Sequence, residues 1–494
     1  MVLCNRKDSV SFNMFLMQGE SPARKSCRQS LPIIWQRDLT EPTAMNLLFI
    51  QPSQLDEQGR VVKYRKGYMP SLAIAILVGL TPDRHRITVV NDLVEEIPFA
   101  GDFDLVCITV MTVQAPRAYQ VADRFRANGT KVVLGGIHPT FMPEEAAQHA
   151  DAVVVGEAEP VWETLLEDFE AGRLNCRYIP EGHPPLGRLV NPGWQHFNMK
   201  LYRNSAGSSM PRIPVYTTRG CLYGCSFCSV SKAYGRTHRH KPIANVIEEV
   251  DESLADTYFF VDDNIVCNFD YAEELFKGLC GKNVRWLSQA SMQLFKRPDL
   301  ISLAAESGCK SLFLGIESIS QETLKGVKKG FNEPDSYPEF FELLHRSGIR
   351  PLVSMIIGLD QDTPEDVERT LEFLIEQKIQ NVYLSIYTPL PGTDVYTEME
   401  RNGRIIERDW SKYDLSHVVH QPINFTPEAL ESTYWQVYGR LYSFGAIMRR
   451  TAGSLSKLRG DRGKALRDIL VQIHMNAQIR NREHLQSLGV GRIR

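Results

Sequence analysis

Short apolar runs alternate with amphipathic stretches from Met45 to about residue 165. Runs of this length are typical of buried strands, and the stretches between them have the length of crossover helices. The pattern predicts five strands, at Asn46–Ile50, Ile87–Val90, Leu105–Thr109, Lys131–Leu134 and Ala152–Val155. It predicts helices at Leu72–Val78, Ala115–Ala127 and Glu144–His149. We therefore expect a doubly wound α/β domain over residues 45–170.

A second alternating region occupies residues 211–425, after a stretch at 171–210 whose Gly, Pro and Asn content is typical of a linker. One strand begins at Val215, and five more are predicted at Tyr258–Val261, Trp286–Gln289, Ser311–Gly315, Leu352–Ile357 and Asn381–Ile386. Six β/α units predict a partial barrel, in which the carboxyl ends of the strands share one mouth.

The C-terminal segment, 426–494, is predicted to be helical. Its apolar and aromatic side chains recur at helical spacing, which favours a core face over a substrate wall; they are Tyr434, Tyr438, Leu441 and Tyr442. From residue 445 onward there are 11 Lys or Arg against 3 Asp or Glu. We interpret this as a solvated basic tail, with contact to an anionic lipid surface, an acidic substrate or an acidic electron donor as the alternative.

The opposite end, residues 1–44, is polar and without clear period, and we expect it to be a poorly ordered extension. Length and charge limit the rest of the interpretation. A chain of 494 residues requires more than one core, and a net charge of −3 gives no global field for nucleic acid. The sequence contains no run of 18 apolar residues and no secretory layout at its start, so we expect a cytoplasmic protein.

Three cysteines, Cys221, Cys225 and Cys228, form a C-x3-C-x2-C motif with glycine before the first two and phenylalanine before the third. Three thiolates on one loop suit a [4Fe–4S] cube whose fourth iron has no protein ligand. A structural zinc site is the alternative, but it requires four ligands and usually uses C-x2-C pairs. The other seven cysteines are scattered without a pairing pattern, and no second cluster motif is present.

This motif resembles the signature of the radical S-adenosylmethionine (SAM) enzymes. The resemblance implies that SAM chelates the open iron and yields a 5′-deoxyadenosyl radical, which abstracts hydrogen from unactivated carbon. It also implies SAM contacts at the strand ends: Asp262 or Asp263 for the ammonium, Gln289 after the next strand, and Glu317 in a Gly-x-Glu-Ser segment for the ribose. A helix N-cap is an equally good explanation of the Asp pair.

Polar segments also end three strands of the first domain, and they resemble the cobalamin-binding, flavodoxin-like or Rossmann-like domain of one branch of these enzymes. The resemblance implies cofactor contacts from Thr109, Met111, Thr112, Gly135, Gly136, His138, Gly156 and Glu157. The first loop lacks Asp-x-His-x-x-Gly, so we expect His138 to fix its loop or touch the corrin edge rather than ligate cobalt. A Rossmann-like scaffold without cofactor is the alternative.

A basic run after the cysteines, with Arg236, Arg239 and Lys241, is expected to be solvated more often than to face a ligand. The whole pattern predicts a cobalamin-dependent radical SAM enzyme that C-methylates a lipid, tetrapyrrole or other natural product. The alternatives are a non-methylating oxidative cyclase or coupling enzyme and a non-catalytic cobalamin sensor. We expect flavodoxin or ferredoxin as reductant, no nucleic-acid partner, at most peripheral membrane contact, and a monomer or weak dimer.

Overall fold

The computed structural model describes residues 44–187, 191–203, 210–253, 255–457, 473 and 489–493. Apart from Ala44, the predicted N-terminal extension lies outside the described residues. No helix among these residues is both long and apolar enough to cross a bilayer.

The first domain is built on a six-stranded parallel sheet. Its strands and one neighbouring strand are β1 (Asn46–Gln51), β2 (Lys63–Gly67), β3 (Arg86–Asn91), β4 (Leu105–Thr109), β5 (Lys131–Gly135), β6 (Ala152–Val154) and β7 (Arg177–Tyr178). Its helices are α1 (Leu72–Leu80), α2 (Ala115–Ala127), α3 (Ile137–Phe141), α4 (Pro143–His149) and α5 (Trp162–Glu170). The strand order is β3-β1-β4-β5-β6-β7. All five predicted strands are present, whereas β2 and β7 were not predicted, and β7 lies within the predicted linker.

Both faces of this sheet are covered. Side chains alternate along a strand, so Leu47 and Phe49 of β1 join one core while Leu48 and Ile50 join the other. A parallel sheet buried on both faces requires continuous apolar strands. That requirement explains why the strands of this domain were visible in the sequence.

The second domain is a parallel sheet in the order β8-β11-β12-β13-β14-β15. Its strands, with the short ribbon β9–β10, are β8 (Ile213–Val215), β9 (Thr218–Arg219), β10 (Arg239–His240), β11 (Thr257–Phe260), β12 (Arg285–Ala290), β13 (Cys309–Glu317), β14 (Arg350–Ile357) and β15 (Asn381–Ile386). Its helices are α6 (Val230–Ala233), α7 (Ile243–Glu252), α8 (Phe269–Leu279), α9 (Pro298–Glu306), α10 (Gln321–Gly326), α11 (Tyr337–Arg346), α12 (Pro364–Glu376) and α13 (Asp394–Arg401). Five of the six predicted strands and the parallel arrangement of the sheet are confirmed, whereas the first strand, predicted to begin at Val215, is β8 and ends at that residue.

The C-terminal elements are α14 (Pro427–Leu441), α15 (Phe444–Lys457) and β16 (Gly489–Ile493). The predicted core stripe on α14 is confirmed, because Tyr434, Tyr438, Leu441 and Tyr442 are all almost fully buried. The prediction of a helical segment is confirmed for α14 and α15, whereas β16, which pairs antiparallel with β2, was not predicted. That pairing joins strands about 400 residues apart, and local periodicity carries no information about it.

Candidate active site

The cysteine loop begins where β9 ends. Gly220 has φ of 90°, and a Cβ at this position would lie 2.4 Å from the carbonyl oxygen of Thr237. Only glycine fits this turn. The loop is closed by the antiparallel ribbon that pairs Arg219 of β9 with Arg239 of β10. The ribbon and the turn therefore fix the point at which the chain leaves the barrel and enters the cysteine loop.

Asp262 stabilises the backbone that leads into this loop. Its carboxylate accepts the backbone N–H groups of Thr217 and Thr218 at 2.7 and 2.6 Å, and the Thr217 hydroxyl at 2.7 Å. The side chain is completely buried, and burial raises its pKa to about 6 against these hydrogen bonds. The structure thus places Asp262 under the backbone that leads into the loop.

Asp263, the next residue, lies on the cavity side of the loop start. Its Oδ2 accepts the N–H of Gly220 at 2.9 Å, and burial raises its pKa. Asp263 also lines the two cavities described below. Neither carboxylate caps a helix, because the N-cap of α8 is Asn268.

The three motif thiols are sheltered from solvent. Cys225 is buried, Cys221 and Cys228 are half-buried, and burial raises the pKa of Cys228 to about 11. In the part of the chain that the structure describes, no three His, Cys, Asp or Glu side chains converge on a single ion. An iron–sulfur cube needs no such convergence, since each thiolate holds a different iron. The donor set, three thiols on one loop, therefore fits the cube.

A fourth cysteine lies beside this loop. Cys267, one of the scattered cysteines, interacts with Cys221, and this contact lowers the pKa of the Cys267 thiol. The proximity could not be predicted from the sequence, because Cys267 follows β11 and lies outside the motif.

Glu317 ends β13 at a bulge, with φ of 67°. Its carboxylate accepts Lys329 Nζ at 3.1 Å and the Ser354 hydroxyl at 3.0 Å. Burial would lower the pKa of Lys329, but Glu317 and the Cys225 thiol raise it. The lysine ammonium therefore stays charged beside the cysteine loop. Positive φ outside glycine is strained and is concentrated at functional sites.

A cavity of about 1140 Å³ opens between the strand ends of the two domains. Its first-domain wall includes the predicted residues Thr109, Met111, Thr112 and Gly136. Its barrel wall includes Asp263, and aromatic side chains project from several elements: Tyr64, Phe141, Tyr234, Tyr383, Tyr413 and Trp435. Ligand pockets usually measure about 300–1000 Å³, so this cavity is large enough for more than one sizeable ligand.

A loop after α13 closes one side of the large cavity, and it carries His417. The imidazole Nδ1 lies 3.0 Å from Asp414, and Nε2 lies 3.5 Å from Glu57. Burial would lower the pKa of His417, but Asp414, Glu431 and Glu57 raise it to about 9. Sequence reasoning missed this cation, since nothing in a lone histidine indicates three carboxylate neighbours.

A second cavity, of about 280 Å³, lies between the first sheet and α1 and reaches the barrel. The predicted residues Thr109, Gly135, Gly136, Gly156 and Glu157 line it. Its inner part is apolar, with Phe49, Cys107, Val133 and Trp162. An apolar group that carries a polar end fits such a lining.

His138 lies outside both linings and is fully buried. Its Nε2 lies 3.0 Å from the Tyr119 hydroxyl, and its ring packs edge-on against Trp410 at 5.2 Å between centroids. These contacts hold the His138 ring in place, and its role in fixing the loop stays a prediction.

Glu157 is tied to the barrel by ion pairs. Its carboxylate meets Arg219 at 2.6 Å and Arg239 at 2.6 Å, and Glu159 also pairs with Arg219. Burial raises the pKa of Glu157, but the two guanidinium groups hold it below the ordinary value.

The expectation of a solvated basic run is wrong for two of its three members. Arg239 is held by Glu157, and Lys241 is 2% exposed and paired with Glu249. Arg236 is exposed as expected. Glu157, which follows β6, and Glu249 on α7 shield Arg239 and Lys241 from water, and neither pairing could be predicted from the local sequence.

Comparisons with known proteins agree with this geometry. The model of the radical SAM superfamily matches residues 215–374, and that of the B12 binding domain matches residues 59–166. Bacteriochlorophyllide d C-12(1)-methyltransferase of Chlorobaculum tepidum is 33% identical over 361 residues, 72% of this chain and 78% of that protein. Bacteriochlorophyllide d C-8(2)-methyltransferase of the same organism is 32% identical, over 78% of this chain and 88% of that protein.

Among solved structures, the radical S-adenosylmethionine methyltransferase TsrM of Kitasatospora setae, with cobalamin and a [4Fe-4S] cluster bound, superimposes with a TM-score of 0.61. The match covers 89% of this chain and 100% of TsrM at 15% identity, so it shows a common fold.

Proposed function

Because this chain belongs to the cobalamin-dependent radical SAM methyltransferases, we propose that it methylates a saturated carbon of a chlorin-type tetrapyrrole. The observation that carries the proposal is the large cavity, which brings the strand ends of both domains to one space with Asp263 in its wall. When bound, the cluster and SAM supply a hydrogen-abstracting radical, and cobalamin supplies the methyl group.

The chain's own residues hold and orient these groups. Cys221, Cys225 and Cys228 provide the thiolates for the cluster. Asp263 and Glu317 are the carboxylates proposed to accept from SAM, whereas Asp262 acts through the backbone that it holds. Gln289 lies near the carboxyl end of β12 and remains a proposed SAM contact. The predicted strand-end residues of the first domain are proposed to hold the corrinoid.

The substrate class is supported by two independent features. Two relatives above 30% identity are named for a bacteriochlorophyllide. The cavity is lined by aromatic rings, which bind flat hydrophobic surfaces well.

This chemistry bears on the electron donor and the cellular compartment of the enzyme. A low-potential cluster needs an external electron donor, for which we propose flavodoxin or ferredoxin. The described cysteines are free thiols, which supports a reducing cytoplasmic compartment. We propose a monomer or weak dimer, with membrane contact confined to the surface.

The test is to incubate the reconstituted protein anaerobically with bacteriochlorophyllide d, a chemical reductant and SAM labelled with a CD3 group. Product carrying CD3, absent with the Cys221→Ala/Cys225→Ala/Cys228→Ala variant, is expected. Substrate consumption with 5′-deoxyadenosine but no label would overturn methylation in favour of a non-methylating reaction. Transfer of CD3 to a hopanoid lipid but not to the chlorin would overturn the substrate class.

A further inference from the structure

The ion pairs of Glu157 connect the first domain with both strands that close the cysteine loop. Glu157 Oε2 lies 2.6 Å from Arg219 Nη1 on β9, and Oε1 lies 2.6 Å from Arg239 Nη2 on β10. A second contact, from Arg239 Nη1 to Oε2, measures 3.2 Å. One carboxylate therefore holds both sides of the β9–β10 ribbon.

This junction is shielded from water. The Glu157 side chain is 3% exposed, and those of Arg219 and Arg239 are 15% and 13% exposed. Charge-assisted hydrogen bonds in such surroundings are strong, and an unpaired charge left there is costly. A movement of Glu157 must therefore carry the ribbon with it or break the pairs.

Glu157 also belongs to the wall of the second cavity, together with Glu159 and Arg219. A ligand that fills the slot between the sheet and α1 consequently touches the same side chains that hold the cysteine loop. Arg219 is two residues before Cys221, so the path from slot to thiol is short.

We propose that Glu157 couples the two cofactor sites: a corrinoid in the first domain stabilises the cluster-bearing loop through Glu157, Arg219 and Arg239. This inference rests on the proposed function, because it requires that the first domain binds a corrinoid. Thermodynamic linkage makes the coupling reciprocal, so the assembled cluster tightens corrinoid binding by the same factor.

The first measurement is the affinity for hydroxocobalamin, by equilibrium dialysis under anaerobic conditions. Wild-type protein with its cluster is compared with the Cys221→Ala/Cys225→Ala/Cys228→Ala variant. We expect the cluster-bearing protein to bind about tenfold tighter, within the usual range for coupled sites. Equal affinities overturn the inference but leave the proposed function standing. No binding by either protein overturns both.

The second measurement is the rate at which a chelator removes iron from wild-type protein. Hydroxocobalamin is expected to slow iron loss several-fold in wild type and to have no effect in Glu157→Gln. The control is Glu170→Gln, which breaks another arginine pair of the first domain, the 2.7 Å contact with Arg84, and should keep the full effect. Persistence of the full effect in Glu157→Gln overturns the assignment.

Should Glu157→Gln fail to fold, Arg239→Lys provides the same test. Lysine keeps the positive charge but cannot make the two parallel bonds of a guanidinium. A reduced effect of hydroxocobalamin on iron loss supports the coupling, and an unchanged effect contradicts it.

Discussion

The carboxylate of Asp262 accepts the backbone N–H of Thr217 at 2.7 Å, just ahead of the glycine turn that starts the cysteine loop. Three donors converge on this one side chain, which has no exposed surface. This carboxylate, at a barrel strand end where ligand contacts are common, thus serves to position the loop.

Replacing Asp262 by Asn should loosen the loop. The amide oxygen can still accept the two N–H groups that Oδ1 accepts, but the amide carries no negative charge to strengthen these bonds, and its NH2 group replaces the acceptor of the Thr217 hydroxyl. We expect a loss of about 2 kcal/mol in the free energy of unfolding and less iron retained after reconstitution. Urea denaturation measures the free energy of unfolding, and iron analysis measures the iron retained after reconstitution. Asp270→Asn, at an exposed position on α8, is the matched control; equal iron retention in the two variants would contradict the positioning role.

Replacing Glu317 by Gln should weaken SAM binding while leaving the cluster in place. The amide keeps the size of the side chain but loses the charge that favours hydroxyl and ammonium donors. We expect SAM affinity to fall about tenfold, measured by equilibrium dialysis with iron content unchanged. Glu322→Gln on α10 serves as the control. Unaltered SAM affinity in Glu317→Gln would show that this strand end does not contact SAM.

His417 should contribute stability that depends on pH. Its folded-state pKa, about 9, exceeds the value of about 6.5 for an unfolded chain, so the contribution is complete below about pH 6.5 and is lost as pH rises through 9. His417→Gln should therefore destabilise the protein by about 2 kcal/mol at pH 6 and much less above pH 9. Urea denaturation at several pH values measures the difference. Asp414→Asn removes the carboxylate closest to His417 and should reduce the pH dependence of the free energy of unfolding. If His417→Gln destabilises the protein equally at every pH, the ion-pair explanation is refuted.

The edge of the barrel should depend on two tyrosine hydroxyls. Tyr438 accepts the N–H of Leu384 at 2.9 Å and donates to its carbonyl at 3.1 Å, which satisfies the free side of β15. Tyr442 makes the corresponding contacts with Val382 at 3.1 and 3.5 Å. Because an unmet backbone group on an edge strand is costly, we expect Tyr438→Phe to cost about 1–2 kcal/mol and Tyr442→Phe less. The reverse order of unfolding free energies would contradict this ranking.

The fold could be predicted where the physical signal is local. Buried parallel strands are continuously apolar, so β1 and β4 were visible in the sequence, and the spacing of Cys221, Cys225 and Cys228 identified the cluster loop. The contacts that could not be predicted from the sequence involve partners that are distant along the chain. Glu157 was expected to touch a cofactor, but its carboxylate is held by Arg239, 82 residues away.

The same limit applies to the orientation of side chains at a strand end. Asp262 and Asp263 are equivalent as a sequence pair, yet the first binds the backbone beneath the loop and the second lines the cavities. Which of the two faces the cavity depends on strand register.

The corrinoid content of protein purified anaerobically from cells supplied with cobalamin tests the central claim most directly. The visible spectrum, recorded after cluster reconstitution and calibrated against total cobalt, gives the stoichiometry. We predict close to one corrinoid per chain alongside an intact cluster. An intact cluster without corrinoid would contradict cobalamin-dependent methyl transfer and would leave the first domain as a scaffold.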